Sequence, residues 1–213
     1  MKKFVLLLAL ALTGFAANAQ IKRPKLVVGI IIDQMRWDYL NYYYDQYCDG
    51  GFKRLINEGF SCDNNMINYL PTVTAIGHTS TYTGATPAIH GIAGNSFQID
   101  GKDVYCCKDT TVESVGSKND AGRMSPCNLL STTIGDQIRL ATDFNSKVIG
   151  VALKDRAAIL PAGRSANAAY WYDTKAGKFV TSTYYMPQLP KWVNKFNGKI
   201  KIKPGTDPKM LPE

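Results

Sequence analysis

Apolar positions along the 213-residue chain fall into two kinds of run. Lys25-Leu26-Val27-Val28-Gly29-Ile30-Ile31-Ile32-Asp33 is continuously apolar, rich in β-branched residues, and closes on a carboxylate. That pattern predicts a strand buried on both faces of a parallel sheet. Lys147 to Leu153 predicts a second strand of the same kind, closing on Lys154-Asp155-Arg156. The segments around them mix apolar and polar positions at helical spacing. Residues 34–47, with Trp37, Tyr39, Tyr42, Tyr43, Tyr44 and Tyr47, predict a helix capped by Asp33 and ended by Asp49-Gly50-Gly51. Phe52 to Glu58 predicts a short helix with Gly59 at its C′ position, and 60–69 a strand or extended link. A helix is expected from about Thr74 to Tyr82, after Pro71 and before Gly84, and another over Thr132–Leu140. Segment 95–128 is loop-rich with short β-like pieces such as Lys102 to Cys107. Ala169 to Tyr172 and Phe179 to Tyr185, around Lys175-Ala176-Gly177, predict a hairpin. No internal repeat is present. Together these elements define an α/β chain, a parallel sheet with helices, carrying an inserted α+β capping region.

The first twenty residues stand apart. Lys2 and Lys3 form a basic start, Phe4 to Leu12 an apolar stretch, and Ala17-Asn18-Ala19 a cleavage pattern before Gln20. This reads as a secretory signal peptide over 1–19, too short in its apolar part to span a bilayer. The expectation is a periplasmic or secreted mature protein, 20–213, with no membrane attachment after cleavage. Lys2 and Lys3 account for two of the eight net positive charges, and residues 1–20 hold no acid, so +6 remains. Much of the excess lies at Lys191, Lys195, Lys199, Lys201, Lys203 and Lys209. A basic surface attracts anions, and a solvated lysine-rich tail accounts for the same charge. Without interleaved arginines and aromatics, nucleic-acid binding is not expected. Five cysteines, Cys48, Cys62, Cys106, Cys107 and Cys127, fit no zinc spacing. In an exported chain they allow one or two disulfides and leave at least one thiol unpaired, with connectivity open.

Several residues have the chemistry of a site. Asp33 ends a strand, where ligands of open α/β sheets bind; it equally suits an N-cap. Thr74 opens a helix, where dipole and amides stabilise phosphoryl or alkoxide oxygens, although Thr72 or Thr74 can equally be a cap. A threonine is a weak nucleophile unless a base or metal activates it. His78 and His90 read first as hydrogen-bonding structural residues. Asn95 alone is an ordinary turn residue. Lys154 and Arg156 are either strand-end charges or an anion clamp, arginine bidentate and lysine as a point charge.

Taken together and in order, Val28 to Arg36, Pro71-Thr72-Val73-Thr74, Thr83-Gly84 with Pro87 and His90-Gly91-Ile92, Asn95 and Leu153-Lys154-Asp155-Arg156 resemble the alkaline phosphatase superfamily. The likeness is to exported bacterial phosphate-monoesterases with a threonine nucleophile, relatives of nucleotide pyrophosphatase/phosphodiesterases. It runs from about residue 24 to at least 198 and implies the N-terminal part of an alkaline-phosphatase-like core. It implies hydrolysis of small phosphate monoesters through a phosphothreonine at a site of two Zn2+ ions. By the same resemblance Asp33 is a zinc ligand, and Thr74 is both nucleophile and zinc ligand. Asn95 bonds a nonbridging phosphoryl oxygen, and Lys154 and Arg156 contact the phosphoryl group and favour monoesters. The family's remaining metal ligands lie downstream, so the metal cage is expected to be incomplete here, a C-terminal segment missing, and the chain to show little or no activity by itself. The alternatives are a phosphodiesterase relative, for which the Lys154/Arg156 pair is not expected, and a non-catalytic exported fragment. A sulfatase is disfavoured because Cys127 is followed by Asn128-Leu129-Leu130 rather than that family's motif.

Overall fold

The computed structural model describes residues 24–200. The proposed signal peptide and Lys201, Lys203 and Lys209 lie outside that range. The chain divides into two compact units, one ending at Met35 and one beginning at Arg36.

In the first unit the expected strand is not formed. Leu26 to Ile32 adopts no regular structure and a turn occupies Asp33 and Gln34. Leu26, Val28 and Ile30 are 78%, 68% and 74% exposed. An all-apolar strand of parallel type needs ladder partners, and no strand among the described residues pairs with it. Asp33 is exposed and caps no helix.

The second unit opens with α1 (Tyr39–Tyr42) and a 3₁₀ turn at Tyr44–Gln46, where a single longer helix was expected. Asp38, not Asp33, is at the N-cap of α1. Aromatic side chains lose rotamer freedom in a helix, which disfavours a long one here, and on α1 Tyr39 and Tyr42 both stack edge to face on Tyr43 at its C-cap. α2 (Phe52–Glu58) has its expected bounds, but Gly59 ends it in extended backbone rather than in the left-handed cap. Residues 60–69 form a link without strand pairing. α3 (Thr74–Thr83) ends on Gly84 at φ +66°, where a left-handed residue releases the last turn. The four-residue α4 (Pro87–His90) follows.

The capping region contains an antiparallel hairpin, β1 (Ser96–Ile99) with β2 (Lys102–Tyr105), and a short β3 (Ser114–Val115). α5 (Ile134–Ala141) starts on a capping box in which Thr133 and Asp136 satisfy each other's backbone amides. β4 (Ile149–Ala152), α6 (Asp155–Ala162) and β5 (Ala168–Asp173) form a parallel βαβ unit, with Val151 opposite Tyr170. β6 (Lys178–Ser182) returns antiparallel to β5, as the hairpin pattern predicts, and α7 (Lys191–Asn197) closes the described fold. The sheet order is β3-β6-β5-β4, which leaves β4 on an edge. The buried strand expected at 147–153 is therefore a half-exposed edge strand, with Ile149 54% and Val151 61% exposed.

The core lies where α3 and α6 pack on each other and α6 packs on β4 and β5. Ala75, Ile92, Leu129, Ala158, Ile159, Leu160, Trp171 and Val180 fill it. Gly150 of β4 passes directly beneath α6, and a Cβ there would run into the Ala158 carbonyl oxygen and crowd the Ala162 methyl. Gly150→Ala should therefore part strand and helix and cost about 1–3 kcal/mol, as overpacking does. A fall in the urea midpoint at unchanged m-value checks this. All five cysteines are free, which corrects the expectation of disulfides. Cys106 and Cys107 are buried side by side, while Cys48, Cys62 and Cys127 are exposed.

Candidate active site

α3 begins without a hydroxyl cap. Val73 occupies the N-cap position, and Thr74 is the first helical residue. The expectation that Thr72 or Thr74 caps the helix is thereby corrected. The capping acceptor comes from elsewhere in sequence: Asn95 Oδ1 accepts the Ala75 amide at 3.0 Å. This bond fixes the Asn95 side chain over the amides that open α3, next to Thr74. The spare amides of a helix start and its positive dipole end favour an anion there. Thr74 and Asn95 are both half-buried.

The histidines support this segment from behind. His78 Nδ1 lies 2.9 Å from the Thr74 carbonyl oxygen. His90 is fully buried; its Nδ1 accepts the Ile92 amide at 3.1 Å and its Nε2 lies 2.9 Å from Ser80 Oγ. With Nδ1 an acceptor, Nε2 carries the proton and donates to Ser80. Burial lowers the His90 pKa, against a smaller opposing effect of its backbone hydrogen bond, so the ring is neutral.

Lys154 and Arg156 sit at the start of α6, Lys154 at its N-cap and Arg156 in its first turn. The intervening Asp155 is buried and faces inward. Tyr105, at the end of β2, joins this turn from fifty residues away. Its hydroxyl donates to Asp155 Oδ1 at 2.7 Å and accepts from Arg156 Nη1 at 2.9 Å. Burial, reinforced by the Asp155 charge, pushes the Tyr105 hydroxyl far above the usual phenol range. Burial opposes the Arg156 charge, but the Tyr105 oxygen and the Asp155 carboxylate outweigh it and hold the guanidinium protonated. Arg156 Nε is buried and has no hydrogen-bond partner among the described residues. Since α3 packs against α6, Thr74 and the Lys154/Arg156 pair stand at the starts of two helices of one core, with Asn95 bonded to the first through Ala75. Sequence reading missed Tyr105 altogether, because no local pattern in Lys102 to Cys107 signals a partner in α6.

Among the described residues, no group of three or more His, Cys, Asp or Glu side chains is placed to hold a metal ion. Zinc normally takes four ligands, at least three of them from protein in a catalytic site. Asp33 and Thr74 alone do not make such a set, so the residues described do not fit the two-zinc site that the sequence resemblance implies.

The chain belongs to the type I phosphodiesterase / nucleotide pyrophosphatase family, whose model matches residues 27–211. Within it, the chain is similar to an alkaline phosphatase, PafA, of Elizabethkingia meningoseptica, at 56% identity over 93% of this chain and 37% of the relative. It is 60% identical, over 85% of its length and 33% of the relative's, to a Myroides odoratus protein named calcium-transporting ATPase. The wild-type crystal structure of alkaline phosphatase PafA superposes with a TM-score of 0.82 at 59% identity, covering 84% of this chain and 35% of that one. A PafA variant substituted at one threonine, one asparagine, one lysine and one arginine superposes with a TM-score of 0.83 at 57% identity, covering 85% and 36%. The α/β fold thus resembles that of the matched part of alkaline phosphatase PafA. The chain spans about a third of the length of the curated relatives it matches.

Proposed function

We propose that this chain carries the nucleophile and the phosphoryl clamp of an exported phosphate-monoester hydrolase. The observation that carries the reading is the Asn95–Ala75 hydrogen bond, which holds an amide side chain at the amides that open α3, beside Thr74 in sequence. The relative named an alkaline phosphatase, PafA, supports it. So does the PafA variant: its substituted threonine and asparagine are as far apart in sequence as Thr74 and Asn95. Its lysine and arginine flank a single residue, as Lys154 and Arg156 flank Asp155.

In this reading Thr74 Oγ1 attacks phosphorus, the ester P–O bond breaks, and the alcohol leaves. Water then cleaves the phosphothreonine, releasing phosphate and restoring the hydroxyl. Asn95 donates to one nonbridging oxygen, and Lys154 and Arg156 face the others. A monoester brings a dianionic phosphoryl group and a diester only a monoanion, so two cations at the equatorial oxygens favour the monoester. That preference distinguishes the reading from a phosphodiesterase, which the family's name would equally allow. Zinc is the group expected to activate the threonine in the complete enzyme. The described residues do not assemble its cage, and the roles assigned here are those of the phosphoryl-facing side chains alone.

Export rests on the residue pattern at 1–20 and places the enzyme in the periplasm or outside the cell. No helix among the described residues is long and apolar enough to cross a membrane.

The test is hydrolysis of an aryl phosphate monoester and a matched diester by the purified chain with zinc added. Any monoester turnover should exceed diester turnover, and Arg156→Ala should lower that monoester kcat/KM about 10- to 100-fold while sparing the diester, as loss of a charged contact does. Diester turnover above monoester turnover would overturn the assignment. No turnover with no bound zinc by elemental analysis would identify a chain that is catalytically incomplete by itself.

A further inference from the structure

We propose that Tyr105 is the positioning residue for Arg156, fixing its guanidinium so that the clamp selects a phosphoryl dianion. The inference rests on the reading of Arg156 as a phosphoryl contact and adds to it what holds that contact in place.

A phenol has one proton to give and lone pairs to receive. Here the proton goes to Asp155 Oδ1, and the oxygen receives Arg156 Nη1. The Asp155 carboxylate therefore sets the polarity: with its proton committed, Tyr105 can only accept from arginine. Asp155 and Arg156 are adjacent on α6 and make no direct ion pair. The hydroxyl stands between them and keeps the guanidinium from collapsing onto the carboxylate. One end of the planar fork is thus tethered through Nη1. Its Nε is enclosed and lacks an acceptor among the described residues. The tether comes from the capping hairpin, so the inserted region sets the geometry of a side chain on the βαβ core.

Tyr105→Phe removes the oxygen and keeps the ring, which packs against the core. Its apparent Tm should stay within a few degrees of the parent. Two measurements then decide. With zinc-supplemented chain, monoester kcat/KM should fall about tenfold, the usual size for one lost charged hydrogen bond, while diester kcat/KM changes less than about threefold. The double variant Tyr105→Phe, Arg156→Ala should be no worse than Arg156→Ala, because the two act as a unit. Independently of turnover, ¹H–¹⁵N spectra of the arginine side chains should show a rigid Arg156 Nε–H, assigned by its loss in Arg156→Lys. In Tyr105→Phe that signal should become mobile. A selectivity that shifts in Arg156→Ala but not in Tyr105→Phe would overturn the Tyr105 role alone. A selectivity unmoved by Arg156→Ala would instead overturn the clamp reading beneath it. If the chain turns over nothing, an Arg156 Nε–H equally rigid in both proteins overturns the tether.

Discussion

Asp136→Ala is expected to remove about 3–5 kcal/mol of stability, the largest single effect on folding in this chain. The residue is 3% exposed, and its carboxylate serves two stretches of backbone, at Thr133 and at Arg164-Ser165. Oδ2 accepts the Thr133 amide at 2.8 Å and the Arg164 amide at 3.3 Å. Oδ1 accepts the Ser165 amide at 2.7 Å and the Ser165 hydroxyl at 2.6 Å. Removing the side chain strands these donors in the interior, each at a cost of about 1–3 kcal/mol but not additively, and dissolves the capping box of α5. Gly163, at φ +86°, lies so close that a Cβ would strike the carboxylate, so no neighbour can fill the gap without moving backbone. Against a domain stability of about 5–15 kcal/mol the loss is severe. The urea midpoint measures it.

The same carboxylate fixes a pH dependence. Burial pushes the Asp136 pKa up, but hydrogen bonds from Ser165, Thr133 and Arg164 outweigh it and hold the group below the ordinary carboxylate range. A depressed folded pKa means the stabilisation is complete above the unfolded value of about 3.9 and is lost as pH falls through the folded one. Stability should fall below about pH 4, and Asp136→Asn should flatten part of that limb. Only part is affected, because Asp109, held by Ser125 and Thr111, and Asp173, held by Ser117 and Asn119, are depressed against burial in the same way.

How much of this could be read from the chain depended on the range of the interactions. The β5–β6 hairpin, α2, α3 and α5 were legible because their signals are local, a turn tripeptide and Gly84 among them. The strand at 25–32 was not, since apolar content states a wish for burial and pairing supplies it. The aromatic run 34–47 misled because rings at roughly helical spacing suggest one helix, whereas the chain forms α1 over Tyr39–Tyr42 and a separate 3₁₀ turn at Tyr44–Gln46. For the candidate site, order and spacing sufficed to nominate Thr74, Asn95, Lys154 and Arg156. What Asn95 does was beyond sequence, because its partner amide is twenty residues away. Tyr105 lay further still from recognition: its meaning comes from Asp155 and Arg156, and only the folding of the hairpin onto α6 brings the three together.

Wherever the zinc-supplemented chain turns over monoester, Thr74→Ala is expected to lower kcat by about 10³-fold or more while leaving the fold intact. A nucleophile removed from a covalent mechanism leaves only the catalysis due to binding and electrostatics. The local structure makes this variant discriminating. Were Thr74 the N-cap, its loss would cost about 1 kcal/mol and mix a folding defect with any catalytic one. But Val73 holds that position, the Ala75 amide is capped by Asn95, and alanine is the strongest helix former for the position that follows the cap. Thermal unfolding of Thr74→Ala should therefore match the parent within a few degrees. Thr74→Ser keeps the hydroxyl and should restore turnover to within about tenfold of the parent, the methyl group serving mainly to limit rotamers. The proposed intermediate adds a readout that rates cannot give: acid-quenched chain incubated with ³²P-labelled monoester should carry label in the parent and in Thr74→Ser, and none in Thr74→Ala. Label retained in Thr74→Ala would move the nucleophile to another residue; turnover without label in any form would point to direct attack by water.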